Sequence, residues 1–240
     1  MREDDQEIRV SIWRGGETGT LQDYAVPWHR DETVLDLVTQ VQRRLDPSLA
    51  YRFACRVGMC GSCAMTVNGR PRWTCRTLVR DVLRGGRLEL RPLANLPVIR
   101  DLVADLTPFF EKWQRARGRF EPADPAAAMA AIAPESEERR AIDAGIECIN
   151  CGVCHAACEV VAALPEYLGP APLNRAWTLM RDSRDSGGGE RLRAVAAAGG
   201  CHACHTHRRC AEVCPKGLNP TASIAGLKRL AAAAALRGEL

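Results

Sequence analysis

Aromatic residues are scarce in this chain: Phe, Trp and Tyr make up 5% of its 240 residues. A core so poor in rings needs another source of cohesion. Metal–ligand bonds are one, because they contribute folding free energy directly. Long apolar runs are missing too. The longest strictly apolar run, Leu230 to Leu236, is far short of the roughly 20 residues of a membrane-spanning helix. The chain is therefore not expected to cross a membrane, although a partner could hold it on one. The opening residues, Met1-Arg-Glu-Asp-Asp-Gln-Glu-Ile8, are acidic and lack the apolar stretch of a secretory signal. Reduced thiols, not disulfides, are the expectation. A dominant charge is also absent. The 33 basic and 29 acidic residues leave +4, too mild a balance to imply nucleic acid. Arg70-Pro-Arg72 and His207-Arg-Arg209 then read as solvated or partner-facing surface. No nucleophile–base set and no nucleotide-binding glycine motif is visible.

What is present in excess is cysteine. Twelve fall into three tight groups: Cys55/Cys60/Cys63/Cys75, Cys148/Cys151/Cys154/Cys158 and Cys201/Cys204/Cys210/Cys214. The first reads C-x4-C-x2-C-x11-C, and its opening spacings are those of plant-type 2Fe–2S ferredoxins. A tight loop must wrap thiolates around a flat two-iron core while backbone N–H groups face the sulfides. Gly58 and Gly61 suit such a loop, since glycine permits close approach and positive φ. Zinc, held by four thiolates, is the competing occupant. The second group, C-x2-C-x2-C-x3-C, is the run of bacterial two-cluster ferredoxins, whose fourth thiolate ligates the other cluster.

The third group repeats that pattern with a histidine in second place: Cys204-x2-His207-x2-Cys210-x3-Cys214-Pro215. Crossing the fourth ligands gives Cys148, Cys151, Cys154 and Cys214 for 4Fe–4S. It leaves Cys158, Cys204 and Cys210, three thiolates, for 3Fe–4S. His207 has two open roles: covering the vacant corner, which is the expectation, or holding a fourth iron there. Cys201 is left over. It is expected to be a small buried hydrophobe, the alternative being a substitute ligand beside Cys204.

The pattern around these groups gives an α+β architecture. Residues 1–105 are expected to form a plant-type 2Fe–2S ferredoxin (β-grasp) domain. Residues 106–240 are expected to form a mainly helical two-cluster ferredoxin-like domain. Ile8, Val10 and Ile12 alternate as in a half-buried strand, and Leu21, Tyr24 and Val26 mark a second. Val34, Leu37, Val38, Val41 and Leu45 share a helical face, capped by Asp31 or Thr33. Ala64–Val67, the Asn68-Gly69 turn and Arg72–Cys75 form a hairpin, and Arg87–Arg91 a last strand. Pro97–Asp105 starts the crossing to the second half. Phe109, Phe110 and Trp113 are expected in a helical core, and residues 121–129 as an extended connector. Helices are expected from Ser136, over Pro172–Arg184 and after Asn219-Pro220, with Asp185–Gly189 a loop.

The chain resembles the iron–sulfur subunit of succinate dehydrogenase and fumarate reductase. The carriers are Cys55-Arg-Val-Gly-Met-Cys60-Gly-Ser-Cys63, Asn95-Leu-Pro-Val-Ile-Arg-Asp-Leu-Val103, Cys148-Ile-Asn-Cys-Gly-Val-Cys154, Arg181-Asp-Ser-Arg-Asp185 and Cys210-Ala-Glu-Val-Cys-Pro-Lys-Gly-Leu-Asn-Pro220. The resemblance implies 2Fe–2S, 4Fe–4S and 3Fe–4S clusters. It also implies a flavoprotein subunit with FAD, and a membrane anchor, with haem b a candidate cofactor there, holding quinone near the 3Fe–4S cluster. The chain would then be peripheral, on the cytoplasmic-type face of an energy-transducing membrane. It departs from the family in having Glu159 after Cys158 in place of proline, no aromatic in Val160–Leu164, and His207 at a position commonly apolar. His205 matches a histidine seen in many members. Glu159, His205 and His207 are the candidate surroundings of the quinone and third cluster. A soluble thiol-linked fumarate reductase is the alternative, disfavoured because this chain lacks the adjacent Cys-Cys pairs of those proteins. A zinc-stabilised binding module is the remote one.

Overall fold

The computed structural model describes residues 7–126, 128 and 132–240. Ala127 and Met129, in the expected connector, and residues 1–6, at the start of the expected first domain, lie outside them. The chain divides into two compact units. One comprises residues up to Leu106 together with Ile149–Ala157; the other comprises Thr107–Cys148 and Cys158–Leu240.

The first unit is a mixed sheet grasping one helix. Strands β1 (Glu7–Arg14), β2 (Thr20–Pro27), β3 (Ala64–Val67), β4 (Arg70–Trp73) and β5 (Arg87–Arg91) lie in the order β2-β1-β5-β3-β4. β1 runs parallel to β5 and the other neighbours are antiparallel. Alternation along β1 sends Ile8, Val10 and Ile12 to one face, where they meet Val34, Leu37 and Val38 of the helix and Val41 just beyond it. That helix, α1 (Val34–Gln40), opens with Thr33, whose hydroxyl accepts from Asp36 N–H while the Asp36 carboxylate accepts from Thr33 N–H. This reciprocal cap satisfies two donors a helix end leaves open.

Several expectations need correction here. Leu45 is half exposed, because residues Val41–Leu45 loosen into a π-helical turn that rotates it off the buried face. Leu21 is exposed, and the inward alternation of β2 begins only at Tyr24. The return strand of the hairpin ends at Trp73, and Thr74–Arg76 is a 3₁₀ turn. A short helix, α2 (Val79–Val82), follows. Pro97–Asp105 does not leave the unit. It folds as a small hairpin, β6 (Val98–Arg100) and β7 (Val103–Ala104), held by buried Asp101, whose carboxylate accepts from Gly15 and Ala50 N–H at 2.8 Å each.

The second unit is helical. It holds α3 (Thr107–Arg115), α4 (Glu137–Ile146), α6 (Glu159–Ala163), α7 (Pro170–Met180), α8 (Gly188–Ala196), α9 (Arg209–Glu212) and α10 (Pro220–Leu236). The short helix α5 (Val153–Ala156) belongs to the first unit. Ser136 caps α4, and the Asn219 side chain caps α10. Tyr167, Leu173, Ala176, Val195, Cys201, Ile224 and Leu227 form the core. Phe109 is buried, but Phe110 points outward at 42% exposure, since adjacent positions on a helix cannot share a narrow face. α7 starts at Pro170 and stops at Met180. The expected Asp185–Gly189 loop ends early, and Gly188 and Gly189 open α8.

Candidate iron–sulfur sites

The first cysteine group sits on the loop between α1 and β3 and on the turn after β4. Arg56, Gly58 and Gly61 have φ of 58°, 75° and 71°, which curl the loop so that its N–H groups face inward. Cys55 Sγ accepts from Met59 N–H (3.2 Å) and Cys60 N–H (3.3 Å). Cys60 Sγ accepts from Cys55 N–H at 3.5 Å. The hydroxyl of Ser62, with the Cys55 and Ser62 amides, pulls the Cys60 thiol down to about 6. Cys63 and Cys75 are buried and adjacent. Thr74 ties the two segments, its hydroxyl donating to the Cys63 carbonyl at 2.8 Å. Burial, followed by neighbouring Cys63, pushes the Cys75 thiol up to about 11. The site thus gathers four sulfurs into a cage of inward amides, which suits a cluster carrying negative sulfide.

Cys151 and Cys154 fold with this same unit. Asn95 Nδ2 donates to the His155 carbonyl at 3.0 Å and holds their segment in place. A Cβ on Gly61 would stand 2.5 Å from Cys151 Cβ, so Cys151 lies directly against the first-group loop. Cys148 and Cys214 belong to the other unit. There the Lys216–Glu147 ion pair, at 2.9 Å, joins the segment after Cys214 to the residue before Cys148.

Cys158, Cys204 and Cys210 line a single pocket in the helical unit, with about 330 Å³ of free space that includes open solvent. Glu159, Val160, Tyr167, Pro170, His205, His207 and Thr221 are among its other lining residues. Each sulfur has donors. Val160 and Val161 N–H serve Cys158, and Thr206 N–H lies 3.4 Å from Cys204 Sγ. Thr221 Oγ1 lies 3.3 Å from Cys210 Sγ. Thr206 and Arg208, at φ of 62° each, curve the chain over the opening. Burial pushes the Cys158 and Cys210 thiols up. Three converging, amide-lined thiols around a void fit an iron–sulfur cluster by their donor chemistry.

The three non-cysteine candidates meet at this pocket's exposed side. His207 Nδ1 is 2.8 Å from Glu159 Oε2, and the His205 and His207 rings are 5.9 Å apart. Cys201 lies apart from the pocket lining, fully buried in the helical core. Tyr167, which lines the pocket, and Lys228, which reaches Cys204, carry no sequence motif that marks them. Lys228 Nζ donates to the Cys204 carbonyl at 2.6 Å. The mark that could have flagged Tyr167 is its rarity, as one of three tyrosines in the chain.

Comparison with known proteins matches residues 8–111 to the 2Fe-2S iron-sulfur cluster binding domain family. Residues 145–218 match the 4Fe-4S dicluster domain family. The chain is 38% identical over 219 residues to the fumarate reductase iron-sulfur subunit of Mycobacterium tuberculosis, covering 91% of this chain and 88% of that protein. It is 34% identical over 240 residues to the mitochondrial succinate dehydrogenase [ubiquinone] iron-sulfur subunit of Dictyostelium discoideum, covering 95% of this chain and 84% of that one. Its fold is similar to a chain of the Mycobacterium smegmatis Sdh1 complex in the apo form, with a TM-score of 0.85 and 30% identity. That match covers 95% of this chain and 97% of the other.

Proposed function

This chain belongs to the iron–sulfur subunit family of fumarate reductase and succinate dehydrogenase, and we propose that it carries electrons between the FAD of a flavoprotein partner and a quinone through three clusters. Cys55, Cys60, Cys63 and Cys75 hold 2Fe–2S. Cys148, Cys151, Cys154 and Cys214 hold 4Fe–4S. Cys158, Cys204 and Cys210 hold the third, whose three thiolates give 3Fe–4S. When bound, these clusters supply one-electron centres. The protein's contribution is to space them, exclude water and set their potentials through hydrogen bonds and burial.

The observation that carries this reading is the placement of the cysteines. Four gather on one loop and on the turn after β4, Cys151 stands against Gly61 of that loop, and three further sulfurs line the pocket of the helical unit. Glu159, His205 and His207 stand on the open side of that pocket, where a quinone head group would meet the third cluster. Membrane attachment comes from anchor subunits. No helix among the described residues is long and apolar enough to cross a membrane. The chain is then peripheral, on the cytoplasmic-type face, with haem b, where present, in the anchor.

The test is the purified complex, assayed with succinate plus quinone and with fumarate plus quinol. Turnover in either direction that is lost on Cys158→Ala, while a dye still accepts electrons from the flavoprotein, is the expected result. Quinone turnover that survives loss of that thiolate would contradict it.

A further inference from the structure

We propose that two buried hydroxyls, those of Tyr167 and Thr221, donate hydrogen bonds to the Cys204 and Cys210 thiolates and raise the reduction potential of the third cluster. This inference rests on the three-thiolate site proposed above and adds the residues that tune it. Tyr167 is 1% exposed and lines the pocket with all three cysteines. Cys158 and Cys204 pack against the same buried cluster as Tyr167, which brings its ring to the sulfurs of the site. A tyrosine phenol keeps its proton at neutral pH and can donate it. Thr221, in the first turn of α10, is 9% exposed, with Oγ1 3.3 Å from Cys210 Sγ.

The direction of both bonds follows from the chemistry of ligation. A free thiol can donate or accept, so either atom of the Thr221–Cys210 pair could carry the shared proton. An iron-bound sulfur has no S–H, which leaves the hydroxyl as the only donor. Each bond is then made to a sulfur that becomes more electron-rich when the cluster is reduced. Donation therefore favours the reduced form and moves the potential upward. Burial strengthens the effect, because little water competes and the local dielectric is low. The first cysteine group offers the contrast. Ser62 also bonds Cys60, but Ser62 is exposed and water can replace its hydroxyl.

Tyr167 and Thr221 are positioning residues, so the test reads potential instead of turnover. EPR-monitored redox titration of the assembled complex would be run for Tyr167→Phe, Thr221→Val and the double variant. Each single variant is expected to lower the midpoint of the third cluster and the double variant to lower it further, with the other two midpoints unmoved. Thr221→Ser, which keeps the hydroxyl, is expected to restore the original value. Midpoints unchanged in loaded variants would overturn the proposal. If the variants fail to assemble, electron–nuclear double resonance of the unmodified complex in deuterated water decides. Exchangeable deuterons coupled to the third cluster, beyond those of backbone amides, are expected, and their absence overturns the proposal. A complete lack of a third-cluster signal in the unmodified complex would instead sink the three-cluster reading itself.

Discussion

Gly61 has two separate reasons to be glycine. Its φ of 71° is costly for any residue with a Cβ, and that Cβ would press on Cys151 at 2.5 Å. The left-handed conformation alone costs an L-residue roughly 1–2 kcal/mol. Gly61→Ala is expected to lower the thermal unfolding midpoint and to bleach the visible absorbance of the first cluster. An unchanged melt would show that the loop can yield. Asp182 is a different case. Hydrogen bonds from the Arg184 guanidinium, at 2.7 and 2.8 Å, hold its carboxyl below the usual range. A depressed folded-state value means stability present above the unfolded value of about 4 and lost as pH falls through the folded one. Asp182→Asn should flatten that part of the acid unfolding curve, read by circular dichroism against pH. At this scale the cysteine groups stand out in the sequence because their spacing is a local property of the chain. The pocket position of Tyr167 does not, because Cys158, Cys204 and Cys210 come to it only on folding.

Between elements, the decisive interaction in the helical unit is the ion pair of Arg191 on α8 with Asp185. Both side chains are fully buried and 2.5 Å apart. Arg191 also donates to the carbonyls of Arg117 and Arg119, and Asp185 accepts from Glu121 N–H, so the segment after α3 is fastened to α8. Arg191→Met would leave Asp185 buried and unpaired, at an expected cost of about 3–5 kcal/mol in denaturant unfolding. The motif Arg181-Asp-Ser-Arg-Asp185 is thereby explained as architecture of this unit. Thr33→Ala, removing the cap of α1, should cost about 1 kcal/mol. Periodicity revealed α1, β1 and α10 because their buried faces repeat regularly. It failed at Leu45 and Phe110, where a π-helical turn and a narrow face decide burial, and at α8, whose opening glycines read as loop.

For the molecule as a whole, the first unit runs up to Leu106 and takes in Ile149–Ala157 from later in the chain. No composition shift marks that return. Its anchors, Asn95 Nδ2 on the His155 carbonyl and Gly61 against Cys151, are long-range contacts. The return divides the second cysteine group, with Cys151 and Cys154 on one unit and Cys148 and Cys158 on the other. In the proposed arrangement, ligands cross between the second and third cysteine groups to build separate clusters. EPR of the anaerobically purified complex carrying Cys214→Ala or Cys158→Ala tests it most directly. Cys214→Ala is expected to abolish the 4Fe–4S signal and spare the third cluster, although Cys214 lies in the third group. The reverse is expected for Cys158→Ala. Each variant losing the cluster of its own sequence group, or a colourless protein containing zinc, would contradict it.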